Sequence, residues 1–137
     1  MLLFFFSLLL FFCPLFIRSE TIFPVGETYT FYCDSPSSRA ETIVCNKAEA
    51  TLWRFFLAPR LTGESTIYPS ADVEEIAERY DATLLFCEEA AGVTSYYFYT
   101  PLFKTDVSLG GQKVNLHIAV RPNGTVAVGT PLLFGGF

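Results

Sequence analysis

The sequence predicts an all-β protein, a two-sheet antiparallel β-sandwich with one short helical turn. Three observations predict it. Apolar residues recur with a period of two in several short runs. Clusters of Gly, Pro, Ser and Asn break those runs at short intervals. Aromatic residues make up 17% of the chain, mostly Phe and Tyr, which suit a pleated, half-buried surface.

The N-terminus stands apart from this pattern. An apolar run from Leu2 to Ile17 is broken only by Ser7 and Pro14. It is too short and too N-terminal to read first as a spanning helix, and a secretory signal peptide fits better. An uncleaved signal anchor is the alternative. The expected organisation is a signal peptide over 1–19 and a single domain over 20–137. The expected location is secreted or the endoplasmic reticulum lumen, with no stable membrane span after cleavage.

The strands follow in order. Tyr29, Phe31 and Cys33 share one face, opposite Thr28, Thr30 and Tyr32. Thr42–Cys45 is a short second strand. Trp53, Phe55 and Leu57 alternate with Leu52, Arg54 and Phe56, which predicts a strand there. Ser65–Tyr68, Leu84–Cys87 and Ser95–Thr100 are further candidates. Val114, Leu116, Ile118 and Val120 alternate with Asn115, His117 and Ala119, which places His117 on an exposed polar face. Arg121-Pro-Asn-Gly124 reads as a hairpin turn into Thr125–Val128. One segment has a different period: Asp72 caps a short helix over Val73–Tyr80, with Glu75 placed to close a capping box.

The full chain of 137 residues carries a net charge of -5. That balance argues against a nucleic-acid binder, which needs cations against phosphate. Loss of the signal peptide would remove Arg18 and Cys13 and leave a more acidic chain with Cys33, Cys45 and Cys87. An oxidising compartment makes a disulfide the expectation, and an odd cysteine is then left over. Asn123-Gly-Thr125 is a glycosylation acceptor in pattern.

Three pieces carry a family resemblance. Gly26-Glu-Thr-Tyr-Thr-Phe-Tyr-Cys33, Trp53 within an aromatic run, and Asp81-Ala-Thr-Leu-Leu-Phe-Cys87 stand in that order. Together they resemble strands B, C and F of immunoglobulin-like domains, of a divergent, secreted, immune-modulatory type. The resemblance covers roughly Thr21 to Val120. It implies a Cys33–Cys87 disulfide through the core with Trp53 packed against it. The tyrosine that such domains carry two residues before the second cysteine is Leu85 here. Cys45 then has three readings: a buried spare thiol, a bridge between two chains in a disulfide-linked dimer, or an alternative partner for Cys33 or Cys87.

No catalytic constellation is visible, so the expectation is a protein that is not an enzyme, with no cofactor and no metal. His117 is the only histidine. Carboxylates crowd Asp72 to Glu89, with Arg79 the only base among them. They read as a solvated acidic edge, which also attracts a basic partner. The run Tyr96-Tyr97-Phe98-Tyr99 puts one aromatic pair in the core and the other on an outer sheet face, where tyrosine suits an interface. The expected function is protein–protein binding, for immune modulation or cell-surface recognition, with a protein partner of basic character. The second expectation is a small β-barrel carrier of an apolar ligand.

Overall fold

The computed structural model describes residues 21–24 and 26–134, so the expected signal peptide lies outside the described residues. The strands are β1 (Thr28–Cys33), β2 (Glu41–Asn46), β3 (Leu61–Tyr68), β4 (Thr83–Ala90), β5 (Val93–Tyr99), β6 (Val107–Leu109), β7 (Gln112–Val114), β8 (Leu116–Val120) and β9 (Val126–Thr130). Two helices join them, α1 (Lys47–Leu57) and α2 (Val73–Arg79). The antiparallel all-β class with a short helix is what the structure shows. Its two sheets are unequal: seven strands in the order β2-β1-β3-β9-β8-β5-β4, and the β6–β7 hairpin. Among the described residues no helix is long and apolar enough to cross a membrane.

Register decides which side chains meet. Phe31 lies opposite Glu64, Thr66 opposite Val128, Val128 opposite Ile118, and Ile118 opposite Tyr96. These residues share one face, which both helices cover. Under α2, Ile76 packs with Phe23, Phe98, Leu116, Ile118, Val126 and Val128. Under α1, Ala50 and Leu57 pack with Tyr29, Phe31, Cys33 and Cys45. The second face carries Tyr32, Ala119, Ala127, Tyr97 and His117. The tail, residues 131–134 after β9, lies on it: a Cβ at Gly129 would come within 2.7 Å of Leu133 Cδ2.

Several expectations are corrected. Residues 52–57 are helical, so Trp53 sits on α1 with 39% of its surface exposed instead of in a core between sheets. The helix wins because Asn46 caps it, accepting from the Glu49 backbone N–H at 3.0 Å, and Lys, Ala, Glu and Leu fill its first turns. Cys33 and Cys87 are free thiols, on β1 and β4. Four strands lie between those two. At about 4.8 Å per strand that is about 24 Å across the sheet, far beyond disulfide reach. Cys45 is a third free thiol, buried beneath α1. Its burial matches the spare-thiol reading. Among the described residues the large sheet has β2 and β4 at its edges and does not close into a barrel.

Candidate functional site

Helix α2 is seven residues long, about two turns or 10 Å. Asp72 starts it, accepting from the Glu74 backbone N–H at 2.9 Å. Glu75 forms no reciprocal cap there; it faces Arg79 one turn later at 3.4 Å. The chain leaves the helix at Asp81, in the left-handed region at φ 51°, which Asp tolerates better than most residues. It then enters β4.

A helix this short cannot cover the whole width of the sheet. Ile76 and Ala77 sit over the centre, and the outer part of β4 and β5 stays open. The result is a groove of about 970 Å³ between α2 and β4. Its floor is apolar: Ala82, Leu84, Tyr96 and Phe98. Its rim is Asp72, Glu74, Glu78 and Asp81, and no Lys, Arg or His lines it. Leu84 lies on the core side of the sheet yet remains 50% exposed. The acidic edge expected from the sequence is therefore one wall of a cleft with an apolar base.

The outer wall is the edge strand. Among the described residues β4 pairs only with β5. Ala91 and Gly92, at φ 52° and 79°, form a two-residue turn that pairs Ala90 with Val93. Antiparallel alternation then directs the backbone N–H and C=O groups of Cys87 and Glu89 away from β5, toward solvent. Cys87 is the exposed thiol of the three.

The aromatic run is divided between the two faces. Tyr96 lines the groove, Phe98 is buried in the core below α2, and Tyr99 is 39% exposed. Tyr97 is buried on the second face, stacked between Phe86 at 4.6 Å and His117 at 4.5 Å. Its hydroxyl donates to Glu88 Oε1 at 2.6 Å, and desolvation together with that carboxylate pushes the phenol up to about 12. An exposed aromatic sheet face built on this run does not form, because the tail and the β6–β7 hairpin cover it. Leu109, Gly110, Leu132 and Leu133 stand beside the stack and leave an open pocket of about 410 Å³ against it. His117 is likewise buried, not exposed. Its Nδ1 accepts from the Leu133 N–H at 3.2 Å, and burial pushes the imidazole down to about 4.

Two features escape sequence reasoning. Glu64 is fully buried on β3 and meets Arg54 of α1 at 3.0 Å, while its Oε2 accepts from the Ile22 N–H. Burial is the largest influence on Glu64 and raises its pKa, opposed by Arg54. This pair ties α1 to the sheet. The outer side of α1 exposes Leu52, Trp53 and Phe56; the Asn46-Lys-Ala-Glu49 cap pattern could have revealed that helix. At the β8–β9 turn, exposed Asn123 accepts from the Thr125 N–H and hydroxyl. Among the described residues no cluster of His, Cys, Asp or Glu is placed to hold a metal. No protein-family model, curated protein or solved structure matches the chain.

Proposed function

We propose that this protein is a binding module that acts by protein–protein interaction, with the α2–β4 groove as its contact surface and a basic partner as its ligand. One observation carries the reading: four carboxylates and no base line a cleft with a half-exposed leucine at its base. Apolar floors supply contact area, and one-signed rims select partners and speed encounter. The same proposal places the protein outside the cytosol, on the apolar run of residues 2–17, and puts a glycan on Asn123, which lies in an exposed turn remote in sequence from the groove.

The test is selection of random twelve-residue peptides on the purified protein and on Glu74→Gln/Glu78→Gln/Asp81→Asn. Asn retains the left-handed conformation at position 81. Sequences rich in Lys or Arg, retained by the native chain and lost by the variant, are expected. Equal recovery on both proteins contradicts the reading. The second reading is an apolar protein surface on α1, favoured by exposed Leu52, Trp53 and Phe56. Selected peptides that are apolar, and lost on Trp53→Ala, support it.

A further inference from the structure

We infer that the groove takes its partner as an added strand: an extended, basic segment pairs antiparallel with β4 and becomes the eighth strand of the sheet. The inference rests on the proposed contact surface and specifies how that surface is used.

The backbone supplies the first part of the argument. β4 is eight residues long, about 26 Å of strand, and its outer side has no neighbour among the described strands. Natural sheets commonly blunt such an edge with lysine, proline or a covering loop. β4 reads Thr-Leu-Leu-Phe-Cys-Glu-Glu-Ala: it has no lysine or proline, and its charges, Glu88 and Glu89, guard it against acidic strands but not against a basic one. Its one irregularity, between Leu84 and Phe86, sits near its start, leaving Cys87 and Glu89 in regular register with open N–H and C=O groups. Strand addition satisfies such groups directly.

Side chains supply the second part. Cys87 lies opposite Tyr96, on the helix-covered face, and Glu89 shares that face. Incoming residues that bond to the backbone of Cys87 and Glu89 must project their side chains to this same side. A Lys or Arg there lays its aliphatic stem over Leu84 and reaches the carboxylates of Glu78 and Asp81. The alternate residues project to the other face, beside Phe86. The segment that fits is therefore basic at every second position and apolar between.

Charge decides against the obvious rival, a second copy of the chain. Pairing β4 with β4 would bring two sets of Glu88, Glu89 and rim carboxylates together, with no base in either strand. Like charges facing across strands are destabilising.

The probe is the peptide Lys-Val-Lys-Val-Lys-Val-Lys-Val, capped at both ends, with affinity read by fluorescence anisotropy on the purified full chain. Two further peptides carry N-methyl groups, one on every lysine amide and one on every valine amide. The lysine amides are those that bond to β4. Methylating them should weaken binding about tenfold or more, as expected for losing two or three hydrogen bonds. Methylating the valine amides should leave affinity within about threefold. Binding should also slow alkylation of Cys87. Three equal affinities, each reduced in the Glu74→Gln/Glu78→Gln/Asp81→Asn variant, would overturn strand addition and leave the acidic contact surface standing. Equal affinities that the variant also leaves unchanged would overturn both. A stable dimer by sedimentation, dissociated by the peptide, would assign the edge to a second copy and overturn the choice of partner.

Discussion

Burial of a few polar side chains makes this molecule sensitive to acid in a way its surface charge does not. His117 is buried and its pKa is pushed down to about 4, from an ordinary value near 6.5. Unfolded, the imidazole takes a proton below about 6.5; folded, it stays neutral to about 4. In that window the unfolded chain holds more protons, so stability falls as pH drops from 6.5 toward 4. The full effect is about 3 kcal/mol. Glu64 has the opposite sign, since its raised pKa lets the folded state protonate first. Urea midpoints measured against pH should therefore fall less steeply, or rise, between pH 6.5 and 4 in His117→Asn than in the native protein; an unchanged slope would assign the acid sensitivity elsewhere. The Arg54–Glu64 pair predicts a second residue-scale effect. Arg54→Met leaves a buried carboxylate without its cation and should cost about 3–5 kcal/mol in thermal unfolding. Arg54→Met with Glu64→Met should cost much less, because no charge is then left buried.

Elements differ in how plainly the sequence announces them. β1, β4, β5, β8 and β9 are legible because their apolar, aromatic and β-branched residues come in short runs between turn residues, and α2 because Asp72 marks its start; burial of both faces of β8 and β9 is not legible. The stretch Leu52–Leu57 reads as a strand because its apolar residues, interrupted only by Arg54, satisfy a period of two and a period of 3.6 equally well over six positions. What separates the two is the Asn46 cap upstream. Asn46→Ala should therefore destabilise the protein by about 1 kcal/mol. Circular dichroism should show the loss as earlier melting of helical signal; an unchanged melt would mean that packing of Ala50 and Leu57 alone holds α1. The disulfide expectation failed for a related reason. Inward alternation places a cysteine on a face, but only strand order says whether two such cysteines are neighbours.

At the scale of the whole molecule, the acidic edge was legible as composition and the cleft was not. Asp72, Glu74, Glu78 and Asp81 are close in sequence, whereas Tyr96 and Phe98 join them only through the β4–β5 register. The same register buries Tyr97 on the far face, where the tail covers it. Thiol chemistry tests this architecture as a unit. Under native conditions Cys87 should alkylate rapidly, while Cys33 and Cys45, buried and with raised thiol pKa values, should react only on unfolding. A Cys33–Cys87 link in unreduced peptides would contradict the strand order itself.

The most direct measurement of the central claim is hydrogen exchange by mass spectrometry, with and without a lysine-rich peptide retained from the selection. The account predicts protection confined to α2 and β4, over Asp72 to Ala90. Protection on Leu52–Phe56 of α1, with Asp72 to Ala90 unchanged, would contradict it and move the contact surface to the opposite end of the sheet.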